Sequence, residues 1–231
     1  MLISWDKLPY EMKNSEVKAY YDILSRRKGS LAVKRIFDII VSFLMLILLS
    51  WLLLILAIMI KVDSRGPVFY RQVRVTTGNR DFRIFKFRTM VQNADKIGAL
   101  VTSGNDSRIT RVGSKIRKCR LDELPQLINI LKGDMTFVGT RPEVRKYVEK
   151  YSDEMMATLL MPAGVTSLAS INFKDEDELM DSYTSKGMAV DDAYVQKVLP
   201  EKMAYNLEYI KEFSFFKDIK LMFKTVVSVV K

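Results

Sequence analysis

Asp122 and Glu123 stand side by side, with Arg117 and Arg120 just before them and Arg141 a short way after. An ionised carboxylate can attack phosphorus. It can also hold Mg²⁺, which takes hard oxygen ligands shared with substrate phosphates. Nearby guanidinium and ammonium groups would stabilise charge on a transferring phosphoryl group. The plainer reading of the pair is helix capping. The chain has no histidine and a single cysteine, Cys119. That excludes Ser-His-Asp and Cys-His catalysis, histidine-bearing zinc sites and an intrachain disulfide. Cys119 lies between Lys118 and Arg120 and reads as an incidental thiol in a basic helix.

The elements that must position the pair follow from periodicity. Leu124, Leu127, Ile128 and Leu131 recur at helical spacing. Asp122 suits the N-cap of that helix, Pro125 its first turn and Gly133 its end. A second helix opens at Thr140-Arg141-Pro142-Glu143, which has capping-box spacing, and continues with Val144, Tyr147, Val148 and Tyr151. Upstream, 68–75 and 82–90 predict a β-hairpin around Thr77-Gly78-Asn79. Strand alternation puts Lys86 and Arg88 on one face, as a phosphate clamp or as an ordinary solvated strand face. Residues 93–107 read as a connection and 112–120 as a basic helix. Residues 162–166 read as a turn leading into an apolar run over 167–171. The acidic stretch 175–178 reads as a solvated surface run or helix start in preference to a metal site. The amphipathic stretch 215–230 suits either the membrane interface or the core. Near the start, Asn14-Ser15 caps a surface or membrane-surface helix bearing Val17, Tyr20, Tyr21 and Leu24.

The net charge of +10 over 231 residues favours acidic partners: nucleic acid, anionic lipid or phosphorylated molecules. No nucleic-acid module is visible. Residues 39–60 are apolar except for Ser42 and Ser50, long enough to cross the roughly 30 Å hydrocarbon core. Both flanks are basic, so a spanning helix and a re-entrant hairpin bent near Ser50 both fit. The chain therefore divides into a polar segment with a short helix (1–30), a membrane-embedded element (31–62) and a following domain (63–231).

In Lys34-Arg35-Ile36-Phe37-Asp38-Ile39, Gly66-Pro67-Val68-Phe69-Tyr70-Arg71-Gln72, Phe85-Lys86-Phe87-Arg88-Thr89-Met90, Asp122-Glu123-Leu124-Pro125-Gln126-Leu127, Asn129, Leu131-Lys132-Gly133-Asp134-Met135 and Gly139 with Arg141-Pro142, the chain resembles the bacterial sugar transferases, the small monotopic phosphoglycosyl transferases. The likeness runs from Lys34 to the C-terminus. It implies an α/β fold, mostly helical with a small β-hairpin or sheet, an N-terminal re-entrant membrane helix hairpin, a cytosolic catalytic domain and interfacial amphipathic helices. It implies transfer of a sugar-1-phosphate from a UDP-sugar to a polyprenyl phosphate such as undecaprenyl phosphate, with UMP released, in capsule, exopolysaccharide or glycoprotein glycan assembly at the cytoplasmic face of the cell membrane. By the same resemblance Asp122 is the nucleophile that forms a covalent phosphosugar intermediate. Asp122 and Glu123 hold Mg²⁺, and Lys86, Arg117 and Arg141, with Arg88 as a further candidate, bind phosphate. Membrane lipid is an implied partner; the sequence carries no signal for or against an oligomer. The chain has Ser50-Trp51 where the family often has Ser-Pro, and Gly139-Thr140-Arg141-Pro142 where it has Gly-Pro-Arg-Pro. The competing reading is a non-enzymatic membrane-anchored adaptor whose basic face binds anionic lipid or an acidic partner.

Overall fold

The computed structural model describes residues 1–94, 106–173 and 176–230. Most of these are helical, and the strands form two separate two-stranded sheets. The expected connection over 93–107 lies largely outside the described residues, as does Asp175 of the acidic stretch.

Helix α1 (Ser15–Ser25) starts where the Asn14 side chain accepts the Val17 N–H at 2.8 Å. Its stripe of Val17, Tyr20 and Leu24 is buried in one cluster with Met156, Leu160 and Ile210. The sequence places this helix on a surface; instead it closes the main core, because its apolar face meets a protein face of equal breadth.

Helices α2 (Lys28–Leu48) and α3 (Ser50–Asp63) meet at a 63° bend. No single helix among the described residues is long and apolar enough to cross a membrane. The break falls where the sequence puts it, without a proline. Leu49 takes up φ −94°, ψ 5°, in the bridge region between helix and strand. Packing supplies the cause that a proline would have given. Met45, Leu46 and Leu49 rest against Phe82, Ile84 and Ile130, whereas Leu52, Leu53 and Ala57 rest against Phe87 and Ile116.

Strands β1 (Phe69–Thr76) and β2 (Arg80–Phe87) form the expected antiparallel hairpin, with Phe69 opposite Phe87 and Thr76 opposite Arg80. After α4 (Arg111–Lys118) come a 3-10 turn (Leu121–Glu123) and α5 (Gln126–Lys132). Gly133 ends α5 in the left-handed region at φ 89°, as expected. Strand β3 (Met135–Val138) follows, then α6 (Arg145–Val148) and β4 (Ala163–Thr166), which pairs in parallel with β3.

The segment read as a turn over 162–166 is therefore a strand. Proline, alanine and glycine signal a turn locally, but here they permit close approach. A Cβ on Gly139 would lie 2.4 Å from the Pro162 carbonyl oxygen, and one on Gly164 would lie 2.3 Å from the Gly139 nitrogen. The Gly139 N–H donates to Thr166 O at 3.0 Å and the Gly164 N–H to Thr140 O at 2.8 Å, extending the pairing. Short helices α7 (Leu168–Asn172), α8 (Glu176–Thr184) and α9 (Val190–Ala193) lead to α10 (Leu199–Glu212) and α11 (Phe215–Val230).

Helix α2 is inside out. Lys34, Asp38 and Ser42, one turn apart, are its most buried polar side chains, while Ile36, Ile40, Phe43, Leu44, Ile47 and Leu48 are exposed. Lys34 Nζ bonds Asp218 Oδ2 at 2.7 Å and Val138 O at 2.6 Å. The Thr136 hydroxyl donates to Asp38 Oδ2 at 2.6 Å. Arg35 donates to Ile130 O at 2.6 Å and Leu131 O at 3.0 Å, capping the last carbonyls of α5.

Candidate active site

The pair Asp122–Glu123 does not start α5. Arg120 turns left-handed at φ 52°, which breaks the chain away from α4. The 3-10 turn then carries both carboxylates, and the helix begins only after Pro125, where no side chain caps it. The expected capping role of Asp122 is thereby replaced: its carboxylate caps no N–H of α5, bonds its own backbone N–H, and lies in a turn that packs beside β2.

Asn129 sets β2 against α5. It is fully buried, accepts the Phe85 N–H at 2.8 Å and donates to the Arg83 carbonyl at 3.0 Å. One side chain thus satisfies the open edge of β2 as a neighbouring strand would. This fixes the register of the next residue, Lys86, whose Nζ lies 2.8 Å from Glu123 Oε1. The expected face of Phe82, Ile84 and Lys86 holds in outline, with the first two buried and the third reaching the pair.

The two carboxylates differ electrostatically. Burial pushes Asp122 above the ordinary carboxylate value, and Glu123 adds to the rise; Lys86 and Arg117 only partly oppose it. Burial would raise Glu123 too, but Lys86, Arg141 and Arg120 outweigh it and hold Glu123 low. Glu123 is therefore the ionised, engaged partner. No other side chain hydrogen-bonds the Asp122 carboxylate among the described residues. Adjacent carboxylates whose environments push them apart are a recurrent arrangement at reactive sites.

Of the sequence-derived residues, Lys86, Arg117 and Arg141 converge on the pair, Lys86 by contact and the arginines through space. Arg88 does not join them. It lies past the end of β2, and its guanidinium binds Ser64 O at 2.7 Å, the Ser64 hydroxyl at 2.9 Å and Arg65 O. It fastens the exit of α3 and is not a phosphate clamp; strand alternation fails once the strand has ended.

Arg141 is held by groups that sequence reasoning left unassigned. Its Nη1 donates to the Ser170 hydroxyl at 3.1 Å, and its N–H to Asn206 Oδ1 at 3.3 Å. Glu143, read as half of a capping box, is instead buried beside Lys202 Nζ at 3.1 Å and accepts the Tyr194 O–H at 2.8 Å. Burial opposes its charge, yet Lys202, Arg74 and Tyr194 hold it low. The box does not form: Thr140 gives its hydroxyl to Thr158 O, and α6 starts later, at Arg145. Arg120, noted as a flanking charge, adds to the field on Glu123.

No cluster of three or more acidic, histidine or cysteine side chains is present among the described residues. Two adjacent hard-oxygen donors nevertheless fit Mg²⁺, which binds through one or two carboxylates and takes its other ligands from water and phosphate.

A model of the bacterial sugar transferases matches residues 29–231. The chain is 39% identical over 197 residues to a UDP-N-acetylgalactosamine-undecaprenyl-phosphate N-acetylgalactosaminephosphotransferase of Aeromonas hydrophila, covering 84% of this chain and 43% of the relative. It is 36% identical over 203 residues to a UDP-glucose:undecaprenyl-phosphate glucose-1-phosphate transferase of Klebsiella pneumoniae, covering 85% and 40%. Against the exopolysaccharide production protein ExoY of Rhizobium meliloti it is 31% identical over 211 residues, covering 85% and 84%. The chain thus spans about two fifths of the length of the first two relatives and most of the third.

Proposed function

This chain belongs to the bacterial sugar transferase family, and from that premise we propose that it moves a sugar-1-phosphate from a UDP-sugar to undecaprenyl phosphate, starting assembly of an exopolysaccharide or capsule. The observation that carries the reading is Asp122: a carboxylate that no side chain hydrogen-bonds among the described residues, beside an ion-paired Glu123, with Lys86, Arg117, Arg120 and Arg141 around them.

The chemistry proceeds as two displacements at one phosphorus. A carboxylate oxygen of Asp122 bonds to the phosphorus that carries the sugar, and the bridging P–O bond to UMP breaks, UMP leaving with that electron pair. An oxygen of the polyprenyl phosphate then bonds to the same phosphorus, and the aspartyl P–O bond breaks. Lys86 keeps Glu123 charged and in place; Arg117 and Arg141 neutralise the phosphates as charge develops. Mg²⁺, held by Asp122 and Glu123 with substrate phosphates, would offset the anionic charge that otherwise repels the nucleophile. Substrate phosphates and their cation would also draw Asp122 towards its ionised form.

The bent pair α2–α3 is read as a re-entrant membrane element on the cytoplasmic face. The outward residues of both helices are apolar, and α2 buries Lys34, Asp38 and Ser42 on its inner side, the reverse of a helix in water. Helix α3, with 14 residues, is about 21 Å long, and the apolar part of α2 is shorter, so neither leg crosses a core of about 30 Å. Helix α11 turns Phe216, 83% exposed, and Phe223, 71% exposed, outwards and fits the interface.

The test incubates purified protein with a UDP-sugar and Mg²⁺ but no acceptor, then weighs the intact chain. A sugar-phosphate adduct on Asp122, discharged by polyprenyl phosphate with release of the lipid-linked product, is the expected result. Product formation with no adduct at any time would overturn the covalent route. An adaptor reading predicts neither adduct nor UMP release.

A further inference from the structure

A groove of about 420 Å³ lies where α2 leaves the protein body, between that helix and the first residues of the chain. Its walls include Met1, Leu2, Leu31 and Ile36, with the cations Lys28 and Arg35 and no carboxylate. Ligand sites commonly measure about 300–1,000 Å³. Lys28 is exposed and makes no ion pair among the described residues. Arg35 spends one N–H from each of Nη1 and Nη2 on the α5 carbonyls, and a guanidinium carries five such donors. The groove therefore joins an apolar trough to two cations that still have hydrogen bonds to give.

The position is informative. Ile36 is exposed and begins the apolar outer face that continues through Ile40, Phe43 and Ile47. The groove thus sits where that face begins, at the level that headgroups would occupy. It is also remote from the carboxylate pair. Arg35 touches the last turn of α5, whereas Asp122 and Glu123 precede its first. Seven residues of helix separate them by about 10 Å.

From this geometry we propose that the groove binds one anionic membrane phospholipid, its phosphate between Lys28 and Arg35 and its upper acyl chain along Leu2, Leu31 and Ile36. The inference rests on the reading of α2–α3 as lipid-embedded. A zwitterionic lipid would bring its own cation towards Lys28 and gain less. The polyprenyl acceptor belongs at the pair, on the far end of α5. The bound lipid would brace Arg35 on α5 and so stiffen the element that follows the pair.

The test reconstitutes the full chain in phosphatidylcholine nanodiscs. These contain a trace of either phosphatidylglycerol or phosphatidylcholine carrying a photoreactive group high on one acyl chain, and labelled peptides are mapped by mass spectrometry. The phosphatidylglycerol probe is expected to label the peptides bearing Leu2 and Ile36 at least about fivefold more than the phosphatidylcholine probe, the factor that one cation near a membrane surface supplies. Lys28→Glu should remove that preference. Ala32→Trp, which fills the groove from an exposed wall position, should remove the label with no change in charge. Excess polyprenyl phosphate should leave it in place. Equal labelling by the two probes, indifference to both variants, or displacement by polyprenyl phosphate would each overturn the proposal. Label over residues 43–54 with none at the groove defeats this inference alone. Label at neither place defeats the membrane reading beneath it.

Discussion

Two carboxylate pairs in this molecule each share a lysine, and they are built to opposite ends. Under the hairpin, Asp38 and Asp218 flank Lys34, and all three are nearly inaccessible, at 1%, 2% and 2% exposed. Every carboxylate oxygen there is engaged: Asp38 by Thr136 and the Phe137 N–H, Asp218 by Lys34 and Tyr209. At the candidate active site, Asp122 and Glu123 share Lys86, but only Glu123 is bonded to it. Two carboxylates and a lysine thus make a fastener in one place and a candidate reactive group in the other. What separates them, among the described residues, is whether the last carboxylate finds a side-chain partner.

The largest expected effect falls on the open pair. Asp122→Asn should lower UMP release by roughly 10⁴-fold or more, as loss of a nucleophile does, with the fold intact by circular dichroism. Retention of activity would erase the distinction. The closed pair should answer in stability. Lys34→Ala leaves buried carboxylates unpaired and should cost about 3–5 kcal/mol, read by thermal or denaturant unfolding in detergent.

A sharper test sets neighbours against each other. The carboxyl of Asp122 is raised by burial, so the stability it lends is present at low pH and is lost as pH rises through its folded value. Asp122→Asn should therefore raise Tm at neutral pH. Glu123 is held low, so its contribution is present at neutral pH and lost as pH falls through that value. Glu123→Gln should lower stability by about 1–3 kcal/mol, an effect that fades in acid. Shifts of the same sign would show that the two carboxylates are not differentiated. Smallest of all, Arg88→Lys should lower stability by about 1 kcal/mol, or a Tm drop of about 2–4 °C. The KM for the UDP-sugar should stay unchanged, because this arginine serves the α3 exit.

The residues of the candidate site stand in short local patterns, and much of the site could be read from them. The carboxylate pair, its flanking arginines, the hairpin bearing Lys86 and the Gly133 stop all depend on neighbours within a turn or a strand. What escaped was set by distant partners. Asn129 gains its role only when β2 lies beside it, and Ser170 and Asn206 matter only because the fold brings them to Arg141. Glu143 has the spacing of a cap, but Lys202 and Tyr194 claim it from far along the chain. Strand β4 was hidden because glycines that let two backbones touch look the same in sequence as glycines that let a chain turn. Motif residues such as Lys34, Arg35 and Asp38 identify the family without disclosing that they are fasteners.

Arg35 grips the final carbonyls of α5 directly from α2, with no linker between them. Mechanically, hairpin and reaction centre form one stiff bracket. On the membrane reading proposed above, the altitude of Asp122 over a lipid surface would then be a constant of the architecture, so reach would be rationed by height: phosphates floating at that single plane would be presented to it, and those riding above or below would pass by.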